Sequence, residues 1–236
     1  MGPADVARFE LLTDPGRPQC RVLYTDGLAA SHVDLRDPQR LRMDYQHRLA
    51  VALDALRPAR GEPVTVVHLG GGALALPRFV AATRPRAVQH TYEIDPDLVA
   101  LCRRELGGRK VGLRCGDAAD LIRRCERADV VIGDAFDGTE VPARLATPAF
   151  AAELRRVLGD DGLLLLNVID APPWDRATRH HRMLREAFGH VLRFGAREVA
   201  SGRRAGNVLL AASAAPLKRA ALERALATGP FPGAVA

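Results

Sequence analysis

A regular alternation of apolar runs and helical patterns begins after Pro63 and is the main structural signal of the chain. The apolar runs predict strands over residues 64–69, 88–93, 111–114, 129–134 and 162–168. Helical spacing is clearest between them, over residues 97–106 and 148–158. Strands that are apolar on both sides suit a sheet that helices cover on each face. The pattern therefore predicts an α/β fold with a doubly wound, mostly parallel, Rossmann-like sheet.

The segments before and after this unit have other patterns. Short apolar stretches over 9–12, 20–24 and 28–35 are separated by Asp14-Pro15-Gly16 and Asp26-Gly27, which favour turns. We therefore predict a small N-terminal β-hairpin region over residues 1–37 and a larger Rossmann-like domain over residues 38–236. Within the larger domain, the pattern also predicts helices over 39–56 and 216–227 and strands over 191–199 and 207–212.

Composition argues against several classes of protein. No apolar run reaches the roughly 20 residues of a membrane helix, and the N-terminus lacks a signal-peptide pattern, so we expect a cytoplasmic protein without membrane contact. The 4 cysteines form no CxxC pair, which predicts neither disulfide bonds nor a metal site. The net charge of +6 comes from arginines that are spread along the chain without interleaved aromatic residues. We therefore expect no nucleic-acid partner.

A glycine triplet, Gly70-Gly71-Gly72, follows the first strand of the predicted sheet. Ligands of such sheets bind at the carboxyl ends of the strands, where glycines let the backbone approach a ligand closely. Glu93 ends the next strand, and a carboxylate there can accept hydrogen bonds from both ribose hydroxyls. Ala75 stands where the dinucleotide motif GxGxxG requires its third glycine. The triplet alone would also fit an ordinary turn, but together with Glu93 it predicts nucleoside binding.

Gly116-Asp117-Ala118 follows the third strand and places a second carboxylate at the same edge of the sheet. Asp117 could accept a hydrogen bond from an adenine amino group, or it could cap the helix that follows. Together with Glu93, it favours an adenosyl ligand without a pyrophosphate. The residues thus point to an S-adenosylmethionine-type sulfonium nucleoside.

As a set, these motifs resemble those of the spermidine synthase-like proteins. The motifs that occur in the family's order and spacing are Leu69-Gly70-Gly71-Gly72, Tyr92-Glu93-Ile94-Asp95, Gly116-Asp117-Ala118 and Asp134-Ala135-Phe136-Asp137. Residues 8–37 are similar to the family's N-terminal β-hairpin region, and residues 45–47 fall near its Tyr-His-Glu helix. The resemblance implies the class I methyltransferase fold, with S-adenosylmethionine or its decarboxylated form as co-substrate and no metal. It also implies polyamine biosynthesis, in which an aminopropyl group passes to a small-molecule amine acceptor and methylthioadenosine leaves.

The same resemblance implies roles for individual residues. Asp134 and Asp137 match the two aspartates of the family's Asp-x-x-Asp motif, and Asp134 is the implied catalytic base that takes a proton from the amine. The implied nucleoside contacts are Gly70, Gly71, Gly72, Glu93, Asp117 and Ala118. The implied contacts to the amine substrate are Tyr45, Gln46, Asp137, Asp170 and Trp174. Family members commonly form dimers, which allows a homodimer here. Considered without the family, Asp134 could instead cap the loop after its strand.

Three positions depart from the family's pattern. Ala73 replaces the aspartate that pairs with the donor's ammonium group, Gly138 replaces a proline, and His47 stands where the family has a glutamate. These changes remove acidity from the predicted amine site, so a polyamine is a poorer fit there. Three hypotheses follow from the sequence: aminopropyl transfer, methyl transfer to a small molecule, and a nucleoside-binding homologue without catalysis.

Overall fold

Three of the described strands form a small antiparallel sheet at the N-terminal end of the structure. The computed structural model describes residues 8–57, 61–107 and 109–236, and residues 1–7 of the predicted hairpin region lie outside them. The strands are β1 (Phe9–Asp14), β2 (Arg17–Thr25) and β3 (Leu28–Asp34). Asp26 and Gly27 both have positive φ, which a tight hairpin turn requires. The predicted β region is thus confirmed, while its boundary at residues 37 and 38 stays a prediction.

Eight of the described strands form one central sheet. They are β4 (Val64–Leu69), β5 (Ala87–Glu93), β6 (Leu113–Cys115), β7 (Val130–Gly133), β8 (Leu163–Asp170), β9 (His190–Ala196), β10 (Gly206–Ser213) and β11 (Gly233–Val235). Their order across the sheet is β11-β9-β10-β8-β7-β4-β5-β6. The neighbours from β8 to β6 pair in parallel, whereas β10 runs antiparallel to both of its neighbours. The predicted mostly parallel α/β sheet is confirmed.

Helices cover both faces of the central sheet. They are α1 (Asp44–Leu56), α2 (Ala75–Thr83), α3 (Pro96–Leu106), α4 (Ala118–Leu121), α5 (Pro148–Leu158), α6 (Asp175–Phe188), α7 (Arg197–Ala200) and α8 (Arg219–Leu226). Apolar side chains of α1, α2, α3 and α8 pack on one face, and those of α4, α5 and α6 pack on the other. Successive strand residues alternate between the two cores, so Val66 belongs to the first and Val67 to the second. None of these described helices is long and apolar enough to cross a membrane.

The direction of strand addition reverses between β4 and β7. The chain runs from β4 outward to β5 and β6, and then returns to the other side of β4 to form β7. The connections after β4 and β7 therefore leave in opposite directions, which opens a crevice at the carboxyl ends of these strands. Gly70 follows β4 and Asp134 follows β7, so both residues lie at this crevice.

Two predicted elements have different bounds in the structure. The predicted helix over 39–56 begins at Asp44, because the residues before it form short turns closed by backbone hydrogen bonds. The predicted strand over 191–199 ends at Ala196, where α7 begins. Val199 continues the apolar pattern of the strand and is buried, but it reaches the core from a helical turn. A local pattern of apolar residues could not distinguish these two ways of burying the same side chain.

Candidate active site

The glycine turn after β4 packs directly against the end of β7. Gly70 has a φ of +94°, a conformation that residues with side chains rarely adopt. A Cβ built on Gly70 would lie 2.5 Å from the backbone oxygen of Asp134. The amide of Gly70 also donates a 2.9 Å hydrogen bond to the carbonyl of Tyr92 on β5. Glycine is therefore needed at this position for the ends of three strands to meet.

Glu93 lies at the end of β5, beside the glycine turn. Its Oε2 accepts a 2.9 Å hydrogen bond from the amide of Gly71, and its Oε1 accepts a 3.2 Å hydrogen bond from the amide of Asp95. Each carboxylate oxygen has more than one lone pair, so each can accept a further hydrogen bond from a ligand. The backbone thus fixes the orientation of Glu93 and leaves acceptor capacity at the crevice.

Asp117 has the capping role that its position allowed. Its Oδ1 accepts a 2.7 Å hydrogen bond from the amide of Ala119, while Ala118 is buried at the first position of α4. Its Oδ2 forms an ion pair with the guanidinium of Arg144, in the loop after β7. Arg144 also pairs with Asp120 at 2.8 Å. An adenine amino group would therefore have to share Asp117 with Arg144 or displace Arg144 from it.

Asp134 is held by two neutral hydrogen-bond donors. The hydroxyl of Tyr45 donates to its Oδ2 at 3.1 Å, and the amide of Asn167 donates to its Oδ1 at 2.9 Å. Burial raises the pKa of the Asp134 carboxyl above its ordinary value, and these two hydrogen bonds act in the opposite direction. Burial and the adjacent Asp134 charge also raise the pKa of Tyr45, so the Tyr45 hydroxyl stays protonated. A carboxylate with a raised pKa is a stronger base than an exposed one.

Helix α1 carries Tyr45 and Gln46 over this crevice. The Nε2 of Gln46 donates to the Tyr45 hydroxyl and to the Ser31 hydroxyl, in both cases at 3.2 Å. Ser31 is buried on β3, and a Cβ built on Gly72 would lie 3.6 Å from the Cβ of Ser31. Oε1 of Gln46 is buried and has no hydrogen-bond partner among the described residues. The small N-terminal sheet and α1 thus reach the glycine turn with neutral polar groups.

Ala73 directly follows the glycine triplet and is completely buried. It packs in the apolar core together with Leu74, which continues the turn with a positive φ. Ser31, which lies beside Gly72, and Gln46, which donates a hydrogen bond to Ser31, carry no charge. The structure therefore has a small buried apolar side chain at the position where the resemblance would place an aspartate, and Glu93 is the carboxylate that contacts the adjacent turn.

The remaining predicted contacts to the amine occupy different surroundings. The two carboxylate oxygens of Asp170 accept 2.8 Å hydrogen bonds from two backbone amides, one of them in the first turn of α6. Asp170 is buried and thereby fixes the start of that helix. Trp174 lies under the guanidinium of Arg193, 5.4 Å from its ring centre, and Asp137 is exposed in the loop after β7. The roles of Asp137, Asp170 and Trp174 toward an amine stay predictions.

Three residues at the site were not predicted from the sequence: Ser31, Arg144 and Asn167. Asn167 carries a signal, because it is a buried polar residue in the apolar strand Leu-Leu-Leu-Leu-Asn-Val. Ser31 and Arg144 reach the site through strand pairing and a loop, and their neighbours in sequence give no such signal. Among the described residues, no group of three or more His, Cys, Asp or Glu side chains is arranged to hold a metal ion.

No protein-family model matches the chain. Among curated proteins it is similar to the polyamine aminopropyltransferase of Vibrio vulnificus, with 26% identity over 141 residues that cover 57% of this chain and 46% of the relative. A polyamine aminopropyltransferase of Neisseria meningitidis serogroup A is 26% identical over 159 residues, which cover 65% of this chain and 57% of the relative. The chain thus spans about half the length of these curated relatives.

Solved structures give a fuller overlap. A probable spermidine synthase from Corynebacterium glutamicum superposes with a TM-score of 0.88 and 27% identity, covering 96% of this chain and 86% of that one. A spermidine synthase in complex with the transition state analogue AdoDATO gives a TM-score of 0.62 at 18% identity, covering 91% and 71%. Human methyltransferase-like protein 13 in complex with SAH gives 0.63 at 19% identity, covering 80% and 94%. The last two show the fold alone; together with the curated relatives, the first confirms the resemblance to the spermidine synthase-like proteins.

Proposed function

We propose that the chain is a spermidine synthase-like transferase that binds S-adenosylmethionine or its decarboxylated form and passes an aminopropyl-type group to a small-molecule amine. One observation carries the proposal. Asp134 accepts hydrogen bonds from two neutral donors and packs against Gly70, and the amide of the next residue, Gly71, donates a hydrogen bond to Glu93. The relatives that are polyamine aminopropyltransferases and a probable spermidine synthase support the same reaction. A spermidine synthase of this fold binds a transition state analogue, AdoDATO.

The glycine turn and Glu93 suit the nucleoside end of such a donor. A Cβ on Gly71 would lie 3.5 Å from Oε2 of Glu93, so its absence leaves the carboxylate open toward the crevice. In the proposal, Glu93 accepts hydrogen bonds from the ribose hydroxyls with the lone pairs that the backbone does not use. Asp117 and the backbone at Ala118 lie at the end of the neighbouring strand and flank the adenine.

Asp134 takes a proton from the acceptor amine in the proposed reaction. An alkyl amine is mostly protonated at neutral pH, so its nitrogen must lose a proton before its lone pair can attack the carbon beside the sulfonium. The new C–N bond forms as the C–S bond breaks, and methylthioadenosine leaves with the electron pair of the C–S bond. Tyr45 and Asn167 hold the carboxylate of Asp134 in one orientation while the proton moves.

Methyl transfer is the second candidate, and buried Ala73 is the observation that favours it. The tail of the decarboxylated donor ends in an ammonium group, which would meet apolar Ala73 in place of the aspartate that the resemblance puts at this position. The tail of intact S-adenosylmethionine has a carboxylate beside its ammonium and thus no net charge. Such a tail suits the neutral groups of Ser31 and Gln46 better.

Product analysis with each donor and a panel of amines tests the proposal. Release of methylthioadenosine from the decarboxylated donor in the presence of an amine is the expected result. Release of S-adenosylhomocysteine from the intact donor would establish methyl transfer instead. Binding without either product would support a homologue that has lost catalysis. Failure of calorimetry to detect binding of both donors and of methylthioadenosine would overturn the proposal.

Removal of Arg144 should strengthen nucleoside binding. Its ion pair with Asp117 is solvent-exposed, and such pairs contribute about 0.2–1 kcal/mol, so freeing the carboxylate in Arg144→Ala should raise the affinity for methylthioadenosine by up to about fivefold. Calorimetry measures the change, and Arg182→Ala on the exposed side of α6 removes the same charge elsewhere. Weaker binding in Arg144→Ala alone would show that Arg144 contacts the ligand rather than competing with it.

Loss of the Tyr45 hydroxyl should move the acid side of the pH profile. The hydrogen bond from Tyr45 lowers the pKa of Asp134, so Tyr45→Phe should raise that pKa further. The base must be deprotonated to act, so activity is lost as the pH falls through the pKa of the folded enzyme. We therefore expect the acid limb of kcat/KM to shift to higher pH in Tyr45→Phe and to stay in place in Tyr24→Phe on β2. An acid limb that stays in place in both variants would show that Tyr45 does not set the pKa of the catalytic base.

A further inference from the structure

A second pocket lies on the face of the central sheet that α4, α5 and α6 cover, and Gly70, Glu93, Asp117 and Asp134 are not among its lining residues. It has a volume of about 390 Å³, and we name it the basic pocket. Its lining includes Val88, Tyr92, Arg114, Arg124, Cys125 and Arg127. Strand residues alternate between faces, so Val88 and Tyr92 point away from the face to which Glu93 belongs. The basic pocket is therefore separate from the crevice beside Asp134.

The short connection between β6 and β7 leaves the basic pocket open. It consists mainly of α4, with four residues, and a single turn of 3-10 helix, Ile122–Arg124. These two turns do not cover the first half of β5. Val88 is accordingly 56% exposed, although it lies in a strand of the central sheet. The pocket thus has an apolar floor that the described residues leave uncovered.

Three arginines border this apolar floor. Arg114, Arg124 and Arg127 are exposed, and in the described part of the chain their side chains make no ion pair or hydrogen bond. Glu126 supplies the carboxylate in the lining of the basic pocket. The three guanidinium groups outnumber the one carboxylate of the lining and give an excess of positive charge, part of which Asp120 outside the lining offsets at Arg124. An anion in the pocket would compensate this charge.

We propose that the basic pocket binds a small phosphorylated molecule that has a flat or apolar organic part. Guanidinium groups match the geometry of phosphate oxygens and bind them through paired hydrogen bonds. Exposed Val88 and half-buried Leu121 supply contact area for the organic part. The volume of about 390 Å³ lies within the range of roughly 300–1,000 Å³ that small-molecule sites occupy, and it exceeds the needs of a lone phosphate ion.

Phenyl phosphate is a suitable probe, because it joins a phosphate to a flat ring and has no adenosyl group. In calorimetry with the full chain, we expect phenyl phosphate to bind more tightly than inorganic phosphate and phenol not to bind. The double variant Arg124→Gln/Arg127→Gln should lose at least tenfold in affinity for phenyl phosphate. The matched double variant Arg179→Gln/Arg182→Gln, which changes two exposed arginines of α6, should keep the original affinity. Circular dichroism of both variants checks that they are folded.

Two cysteines locate the bound probe. Cys125 lines the basic pocket, whereas Cys115 is exposed at the end of β6 near Glu93. Phenyl phosphate should slow alkylation of Cys125 by iodoacetamide and leave Cys115 unchanged, and methylthioadenosine should not displace phenyl phosphate. No binding of phenyl phosphate, equal losses in the two double variants, or protection of Cys115 instead of Cys125 would overturn the proposal. Failure of the donors to bind would leave these results unaffected, since the predicted donor contacts do not line the basic pocket.

Discussion

Asp134→Asn should lower the turnover of the proposed reaction by about 10²–10⁴-fold, the usual contribution of a positioned general base. Asparagine can accept from Tyr45 with its one oxygen and donate to Oδ1 of Asn167 once the Asn167 amide has rotated, but it cannot take a proton from the amine. The rate of methylthioadenosine release at saturating donor and acceptor measures the loss. Affinity for methylthioadenosine should stay nearly the same, because Asp134 acts on the acceptor. Full turnover in this variant would show that Asp134 is not the catalytic base.

The same substitution should not reduce stability at neutral pH. Burial raises the pKa of Asp134, so the folded protein holds this proton more tightly than the unfolded chain. The free energy of unfolding therefore falls as the pH rises above the ordinary carboxyl pKa and Asp134 becomes charged. The decrease is complete once the pH exceeds the raised pKa of the folded protein. Asparagine carries no charge, so we expect an equal or higher Tm. Asp161→Asn, at an exposed position after α5, is the control and should leave Tm and turnover unchanged.

Gly70→Ala should destabilise the fold and also reduce turnover. The φ of +94° costs a residue with a side chain about 1–3 kcal/mol, and the added Cβ would lie 2.5 Å from the backbone oxygen of Asp134. The end of β7 must shift to relieve this contact, and the shift moves the base. A displacement of about 1 Å at a reacting group can reduce a rate by about 10²-fold.

Gly61→Ala is the matched control for this effect. A Cβ on Gly61 would meet no atom of the described residues within 4 Å. Urea unfolding gives the change in the free energy of unfolding, and the rate of product release gives the change in turnover. Equal stability of Gly70→Ala and Gly61→Ala would contradict the close contact between the glycine turn and Asp134.

The sheet could be predicted because its strands are nearly continuous apolar runs with turn residues at their ends. Val64–Leu69 and Val130–Gly133 are buried along most of their length, and only strands covered on both faces need that pattern. The short β11 and the turn of α7 were harder to predict. β11 has three residues, and it forms through pairing with β9 rather than through a pattern of its own.

The carboxyl-end residues of the candidate site were predictable for a different reason. Parallel strands end at one edge, so Gly70, Glu93, Asp117 and Asp134 had to lie near one another once the strands were known. The partners of these residues could not be predicted in the same way. Arg144 reaches Asp117 across 27 positions of sequence, and the local pattern around either residue does not encode the ion pair. The sequence therefore indicated where the carboxylates lie but not which of them already have a partner.

The helix that carries Tyr45 also depends on a distant part of the chain. Buried Arg48, one turn further along α1, donates a 3.1 Å hydrogen bond to the carbonyl of Pro232, which lies 184 positions later. His47 packs against the ring of Phe231, with 5.5 Å between the ring centres. Translation produces α1 first and these partners much later, so a nascent chain can form the central strands before α1 is anchored. The order of synthesis thus sets the earliest moment at which the base and its tyrosine can be held together.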